Sequence, residues 1–489
     1  MSRPAPTGTA PATGALARLD RYFEVTARGS SWAREVRGGV VTFVTMAYIV
    51  ILNPLILGGF SADQAAQDVT GGWLQNAQVG AVTALTAGVM TILFGAVARL
   101  PFAFAAGLGI NSFLAVTVVR DVTWPEAMGL VVINGLIITI LAVTGLRGLI
   151  FTAVPAALKT AITVGIGLFI AFIGLVDAGF VRSSGLSSPP LQLASEGSIA
   201  TLPTITFVIA LVIIGVLMAR GVRGAIFVGI VASTVIAIAL QAIFQVPPSN
   251  GQNLDDWNLN APALPSQIVS LPDLSLVGEV SFGAFARIGV LSAVMLVFTL
   301  VFTNFFDAMG TMTGLAKASG VADAKGTFPR LRSALVVEGV GAIAGGATSS
   351  SSNTVFVESA SGIGEGARTG AASVVTGLLF VLAMFFTPLT QVVPLEVAAA
   401  ALVIVGALMV SQIKDIEWGS FSVALPVFLT IIVMPLTYSI ANGIGVGFIS
   451  WVVLRSLSGH ARRVSPLLWV VALGFVVYFV RGPIEALLG

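Results

Sequence analysis

Glu358 sits in Val355-Phe-Val-Glu-Ser-Ala, a carboxylate inside an otherwise apolar stretch. An acid at membrane depth is expensive and by default marks a substrate or proton site, unless it pins a broken helix through backbone N–H groups. Asn304 and Asp307 occur in Phe302-Thr-Asn-Phe-Phe-Asp-Ala-Met-Gly-Thr, where helical spacing puts both on one face with Thr311. An amide donates and accepts, so Asn304 suits a neutral heterocycle better than an ion, or else bonds a neighbouring helix. Asp307 is open to three uses: ligand, proton carrier or packing acid. Asn111, in Gly107-Leu-Gly-Ile-Asn-Ser-Phe, either contacts substrate or caps a helix end. Glu338, in Val336-Val-Glu-Gly, is expected to support such a site rather than touch substrate. Phe356 and Phe305 offer rings for stacking on a flat ligand, although most of the 30 phenylalanines must face lipid or core.

These residues need a scaffold, and composition names its class. Hydrophobic residues make up 56% of the 489 and charged residues only 9%, too little to cover a soluble surface. Apolar runs of about 20 residues recur along the chain, the length that spans a bilayer core as a helix. The expected architecture is an all-α polytopic membrane protein. Passes are expected near 39–60, 79–98, 102–119, 127–145, 156–176, 205–218 and 225–244, then 288–310, 334–345, 355–364, 370–386, 397–410, 421–434 and 439–453. A further stretch, 467–480, is either an extra pass or a helix lying in the interface.

Charge sets the orientation. With the amino terminus inside, the cytoplasmic loops hold Arg99, Arg147, Arg220, Arg223, the basic residues of 317–332, Arg368, Lys414 and those of 455–463. The opposite loops, 61–78 and 245–285, carry aspartates and glutamates and no Lys or Arg, as the positive-inside bias predicts. Seven passes on each side of the long linker make the second half an inverted copy of the first, the plan of many secondary transporters. Residues 18–37, with five arginines, Tyr22, Phe23 and Trp32, read as a cytoplasmic segment against the membrane surface. The stretch before them is Pro/Ala/Thr-rich, expected to be disordered, and has no signal-peptide core.

Two passes at corresponding positions are interrupted. The third is broken by Gly107, Gly109 and Asn111, the tenth by the serine run of Thr348-Ser-Ser-Ser-Ser-Asn, and Asn111 and Glu358 lie 247 positions apart. Glycines and serines weaken a continuous helix, and irregular backbone at membrane depth survives only packed in protein or lining a wet cavity. Interrupted helices are therefore expected in segments three and ten, and paired breaks of this kind point to a substrate site.

Other chemistries are excluded. The chain has no cysteine, so disulfides and thiolate sites cannot form. A net charge of +2 is too small for nucleic-acid binding, and no metal or cofactor is expected. Gly362-Ile-Gly-Glu-Gly lacks the strand and Lys-Ser/Thr of a phosphate loop. His460 reads as a solvated loop residue, and Glu365 with Arg368 as a solvated pair. Nothing resembles an ATPase or a nucleophile with its base, so an enzyme is not expected.

Together, Thr42-Phe-Val-Thr-Met-Ala-Tyr-Ile-Val-Ile-Leu-Asn-Pro, Gly107-Leu-Gly-Ile-Asn-Ser-Phe, Asn304-Phe-Phe-Asp-Ala-Met-Gly-Thr, Val357-Glu-Ser-Ala-Ser-Gly-Ile and Met434-Pro-Leu-Thr-Tyr-Ser-Ile identify a family. From about Leu19 onward the chain resembles the nucleobase–cation symporters (the nucleobase–ascorbate transporter family), in their azaguanine-type purine permease branch. The resemblance implies a seven-plus-seven inverted repeat with a core domain from passes one to four and eight to eleven, a gate domain from the rest, and short strand-like breaks in segments three and ten. It implies that Glu358 binds the base, that Asn111 is the polar residue of the third pass, and that Glu338 is the supporting acid of the ninth. One departure stands out: the branch usually carries an acid where this chain has Asn304, followed by a second acid at the position of Asp307. Asparagine cannot exchange a proton, so the change bears on substrate choice and coupling ion, and leaves Glu358 and Asp307 to carry the proton.

The expected function is proton-coupled import of a nucleobase, most of all a purine, across the inner membrane by a homodimer whose core moves against its gate. Substrate contacts are expected from Glu358, Asn304, Asn111, Phe356, Asp307, Thr311 and Phe305, and proton coupling from Glu358, Asp307 and Glu338. Besides nucleobase and proton, membrane lipids are the expected partners. The expected divisions are a cytoplasmic segment 1–38, a first repeat 39–245, an extracytoplasmic linker 246–287, a second repeat 288–456, and a basic loop with a C-terminal hydrophobic segment 457–489. Rival readings are a uracil permease, an anion transporter on the same fold, and a membrane scaffold that transports nothing.

Overall fold

The computed structural model describes residues 15–62, 65–147, 153–186, 188–194, 197–248, 255–258, 260–265, 267–321, 328 and 330–480. The polar stretch before Ala15, part of the basic loop 317–332 and the end of the C-terminal segment lie outside the described residues. The chain runs α1 (Ala15–Phe23), α2 (Trp32–Met46), α3 (Ile49–Leu57), α4 (Asn76–Val97), α5 (Leu108–Val116), α6 (Trp124–Thr144), α7 (Ala156–Asp177), α8 (Leu202–Ala219) and α9 (Ala225–Phe244). After the linker come a one-turn α10 (Ala284–Arg287), α11 (Val290–Ala318), α12 (Leu331–Ala347), α13 (Ser359–Gly364), α14 (Gly370–Ala383), α15 (Leu395–Val410), α16 (Phe421–Leu436), α17 (Ile440–Arg455) and α18 (Pro466–Phe479).

Among the described residues, ten helices are long and apolar enough to cross a membrane, α2 and α3 counting together as one. The third, thirteenth and C-terminal segments appear as shorter apolar helices. The expected ninth and tenth passes form helices of 17 and 6 residues. The eighth runs on past the expected end at 310 as far as Ala318.

Helix ends follow local chemistry. Thr123 and Glu126 form a reciprocal capping box at the start of α6, with a proline in its first turn, and Gly145 closes the helix in the left-handed region at φ 78°. Close helix crossings rest on glycine. A Cβ on Gly370 would lie 1.9 Å from the Gly95 carbonyl oxygen, so α4 and α14 meet only because neither residue carries a side chain.

Two loops hold strands that the sequence pattern did not announce. β1 (Gly58–Gly59) pairs in parallel with β2 (Leu74–Gln75), and β4 (Val181–Ser183) pairs antiparallel with β5 (Leu191–Leu193). The basic N-terminal segment docks on protein. Phe23 and Val25 are buried against Ala371, the Tyr22 hydroxyl donates to the Ala96 carbonyl at 2.9 Å, and the Arg99 guanidinium lies 4.1 Å from the Tyr22 ring centroid. Glu24 ties the segment down through Arg28, Arg99 and Arg330. At the other end of the chain, α18 packs through Phe475, fully buried among Phe298, Phe302 and Phe448 of α11 and α17. Its 14 residues span about 21 Å, short of a full crossing. His460 is half-buried in the turn after α17 rather than solvated.

Candidate substrate site

The two interrupted segments meet. β3 (Phe104–Ala106) and β6 (Asn353–Val355) pair antiparallel, with Phe104 opposite Val355 and Ala106 opposite Asn353. The ribbon is extended at both ends: Gly107 N–H donates to the Ser352 carbonyl and Phe356 N–H to the Ala103 carbonyl, each at 3.0 Å. Each break thus satisfies the backbone groups the other leaves open, which is how irregular chain survives at this depth. α5 and α13 leave from opposite ends of the ribbon. The serine run reaches β6 through two left-handed residues, Ser349 at φ 57° and Ser351 at φ 71°, a conformation that costs non-glycine residues energy and persists where surroundings enforce it.

Polar side chains gather on this ribbon. The Tyr48 hydroxyl donates to Glu358 Oε1 at 2.5 Å. Glu358 occupies the cap position of α13, yet its side chain makes no capping bond, so pinning the helix is not what the carboxylate does. Asn111 is likewise no cap: it lies inside α5 and donates through Nδ2 to Asn53 Oδ1 at 2.5 Å. Asn53 in turn donates to Thr83 Oγ1 at 2.7 Å and to the Ser350 carbonyl at 3.1 Å. Asn304 donates to Ser352 Oγ at 3.0 Å. Phe356 is buried beside the ribbon.

Around these bonds several buried oxygens have no partner among the described residues: Oδ1 of Asn111, Asn304 and Asn353, and the hydroxyls of Ser351 and Thr354. A buried polar atom left unmatched costs about 1–3 kcal/mol. Their concentration on two broken segments, next to a carboxylate, suits a small polar molecule with several donors and acceptors.

Asp307 lies within Coulombic reach of both Glu338 and Glu358. It and Thr311, one turn further along α11, are partly buried. Glu338 is engaged elsewhere. It forms an ion pair with Arg147 in which both side chains are 0% exposed. Arg147 also donates to the Leu335 carbonyl at 3.3 Å, and its guanidinium sits 5.3 Å from the Phe305 ring centroid. This corrects the reading of Arg147 as a cytoplasmic loop charge: it follows α6 in the chain, but a buried acid draws it inward. Phe305 packs against Arg147.

A second correction concerns Glu365. Its nearly buried carboxylate pairs with Arg37 at 2.8 Å and Arg223 at 2.5 Å, while Arg368 donates to the carbonyls of Ile363 and Ala367. The expected Glu365–Arg368 pair does not form.

Sequence reasoning missed Tyr48, Asn53 and Glu35. Tyr48 and Asn53 are polar residues of the first apolar pass and lie within a quoted motif, while Glu35 precedes that pass in the basic segment. Buried Glu35 accepts from the backbone N–H groups of Arg368, Thr369 and Ala372, capping α14 from a distant helix. Polarity flagged them, but only contacts separate a capping acid from a ligand.

The sequence model of the Permease family matches residues 33–446. The chain is 35% identical over 464 residues to the guanine/hypoxanthine permease PbuG of Bacillus subtilis, covering 94% of this chain and 99% of that protein. It is 34% identical over 472 residues to the adenine permease AdeP of Escherichia coli, covering 96% and 97%. Among solved structures it is similar to the transmembrane domain of the cyanobacterium bicarbonate transporter BicA, with a TM-score of 0.57 at 18% identity, covering 84% of this chain and 97% of that one. It is also similar to the murine anion transporter Slc26a9 in its inward-facing state, with a TM-score of 0.56 at 11% identity, covering 91% and 73%. At these identities the two structures speak to fold alone.

Proposed function

The chain belongs to the Permease family, a membrane transport protein and not an enzyme, and on that premise we propose that it imports a purine nucleobase by proton symport. The observation that carries the reading is the meeting of both interrupted segments around Glu358, with unmatched amide oxygens beside it. The names of PbuG and AdeP point to guanine, hypoxanthine or adenine. Glu358 accepts from ring N–H groups through the oxygen that Tyr48 leaves open. Asn304 and Asn111 read exocyclic groups, and Phe356 stacks on the ring. Asp307 and Thr311 extend the site along α11. Glu358 and Asp307 exchange the proton, and Glu338, held by Arg147, supports them.

In the same reading the chain is fourteen segments in a seven-plus-seven inverted repeat, 39–245 and 288–456, with the amino terminus cytoplasmic in the inner membrane. The core carries the base past a dimerised gate in an elevator-like motion. Support comes from the ribbon linking segments three and ten and from basic residues on alternate loops. The test is uptake by purified protein in liposomes. Under an inward proton gradient it accumulates at least one of adenine, guanine, hypoxanthine and xanthine, and accumulation collapses with the gradient. Uptake of none of these, or of uracil alone, sinks the purine reading. Bicarbonate uptake without any base would favour the rival drawn from the fold of BicA.

A further inference from the structure

The described residues enclose a second polar space away from the ribbon. A cavity of about 550 Å³ lies between the C-terminal end of α5 and the turn that joins α16 to α17. Thr117, Arg120 and Asp121 line one wall, Tyr438 and Asn442 the facing one, and Tyr478 of α18 completes it. The nine residues of α5 separate it from the ribbon by about 14 Å. It therefore does not share the Glu358 site, and in the orientation proposed above the C-terminal end of α5 puts it on the outer side of the ribbon.

The turn that forms the second wall is built, not slack. Tyr438 is held in the left-handed region at φ 52°, where a bulky side chain is rare. Ser439 N–H closes the turn on the Met434 carbonyl at 3.0 Å, and the Ser439 hydroxyl caps α17. The Tyr438 ring is wedged edge-on between Phe169 and Phe172 of α7, with centroids 5.7 Å away in each case. Its strained backbone aims one aromatic residue at α7, a placement that fixed strain commonly serves.

We propose that this cavity is an outer binding site for the transported base, occupied before the base reaches Glu358. The inference rests on the purine reading above. Tyr438 and Tyr478 supply ring faces for a neutral planar heterocycle. The Asn442 amide, the Thr117 hydroxyl and the Arg120 and Asp121 side chains supply edge donors and acceptors. Because the walls come from separate helices, relative movement of those helices would open or empty the site.

The chain's lack of cysteine makes the test direct. Asn442→Cys and Thr117→Cys each carry the only thiol, one on each wall. In intact cells a membrane-impermeant maleimide should label both and cut uptake at least tenfold. Saturating base, whichever of adenine, guanine or hypoxanthine the wild type transports, should slow labelling severalfold. That protection should persist when Glu358→Gln removes binding at the ribbon. Tyr438→Asn, which tolerates the left-handed backbone, should raise KM severalfold. Labelling at equal rates with and without base, or protection abolished by Glu358→Gln, overturns the outer site while leaving the purine reading intact. A wild type that takes up no base overturns both.

Discussion

Arg147 and Glu338 offer the sharpest energetic test. Both side chains are fully buried, and the pair is incompletely satisfied: Arg147 Nε and Nη2 and Glu338 Oε1 have no partner among the described residues. Arg147→Met leaves a carboxylate buried without its counter-charge, which costs about 3–5 kcal/mol, and Glu338→Leu leaves the guanidinium in the same position at a similar cost. Loss of the contact with Phe305 adds about 1–2 kcal/mol to the first. Independent effects would therefore total roughly 7–12 kcal/mol in the double variant. The structure predicts otherwise, because removing both charges together removes the desolvation penalty with the attraction. Arg147→Met/Glu338→Leu should lie within about 1 kcal/mol of wild type or above it. Thermal midpoints of the purified protein, followed by loss of the monodisperse peak in size-exclusion chromatography, give the ranking. Singles that match wild type, or a double as unstable as both singles together, would refute the reasoning. Retained proton-driven uptake in a stable double variant would also assign Glu338 to support rather than proton exchange.

Other consequences follow from single contacts. Tyr48→Phe removes a hydrogen bond to a carboxylate, about 1.5–3 kcal/mol, so base affinity should fall roughly tenfold or more in a binding assay; unchanged affinity would remove Tyr48 from the site. Asn304→Asp replaces the amide that donates to Ser352 Oγ with a carboxylate that can accept from that hydroxyl, and restores the acid usual in the branch. Its uptake should show a titration step added to the pH profile of wild type, and superimposable pH profiles would count against the placement of Asn304. Asp68 lies in the loop before β2. Burial opposes its charge, but bonds from Thr70, Trp124 and Gly72 outweigh that and hold its carboxyl below the usual aspartate range. Its contribution is complete above the ordinary aspartate value and is lost as pH falls through the lowered one. Asp68→Asn should thus cost about 1–2 kcal/mol near neutrality and narrow its gap to wild type in acid below about pH 4, as read from midpoints across pH.

Much of the scaffold was legible because membrane helices announce themselves by length and apolarity. The breaks were legible too, since Gly107, Gly109 and the serine run are poor helix material wherever they fall. What the sequence could not give was the pairing of those breaks into one ribbon, which depends on two segments about half a chain apart. Nor could it show the partner each acid meets: Glu35 caps α14, Glu338 holds Arg147 and Glu358 meets Tyr48. Arg147 was misread for the same reason: a positive charge at a helix end is cytoplasmic by default, and only an unseen buried partner overrides that default. The hairpin β4–β5 was missed because its strands are three residues long, too short for alternation to show.

Glu358 is the group proposed to hold the base. Equilibrium binding of radiolabelled adenine, guanine and hypoxanthine to purified wild type and Glu358→Gln tests this without any driving force. Wild type should bind at least one base saturably, and the substitution, which keeps size and the Tyr48 contact but not the charge, should weaken it by roughly 1.5–3 kcal/mol, at least tenfold. Equal affinity in the two proteins would contradict it.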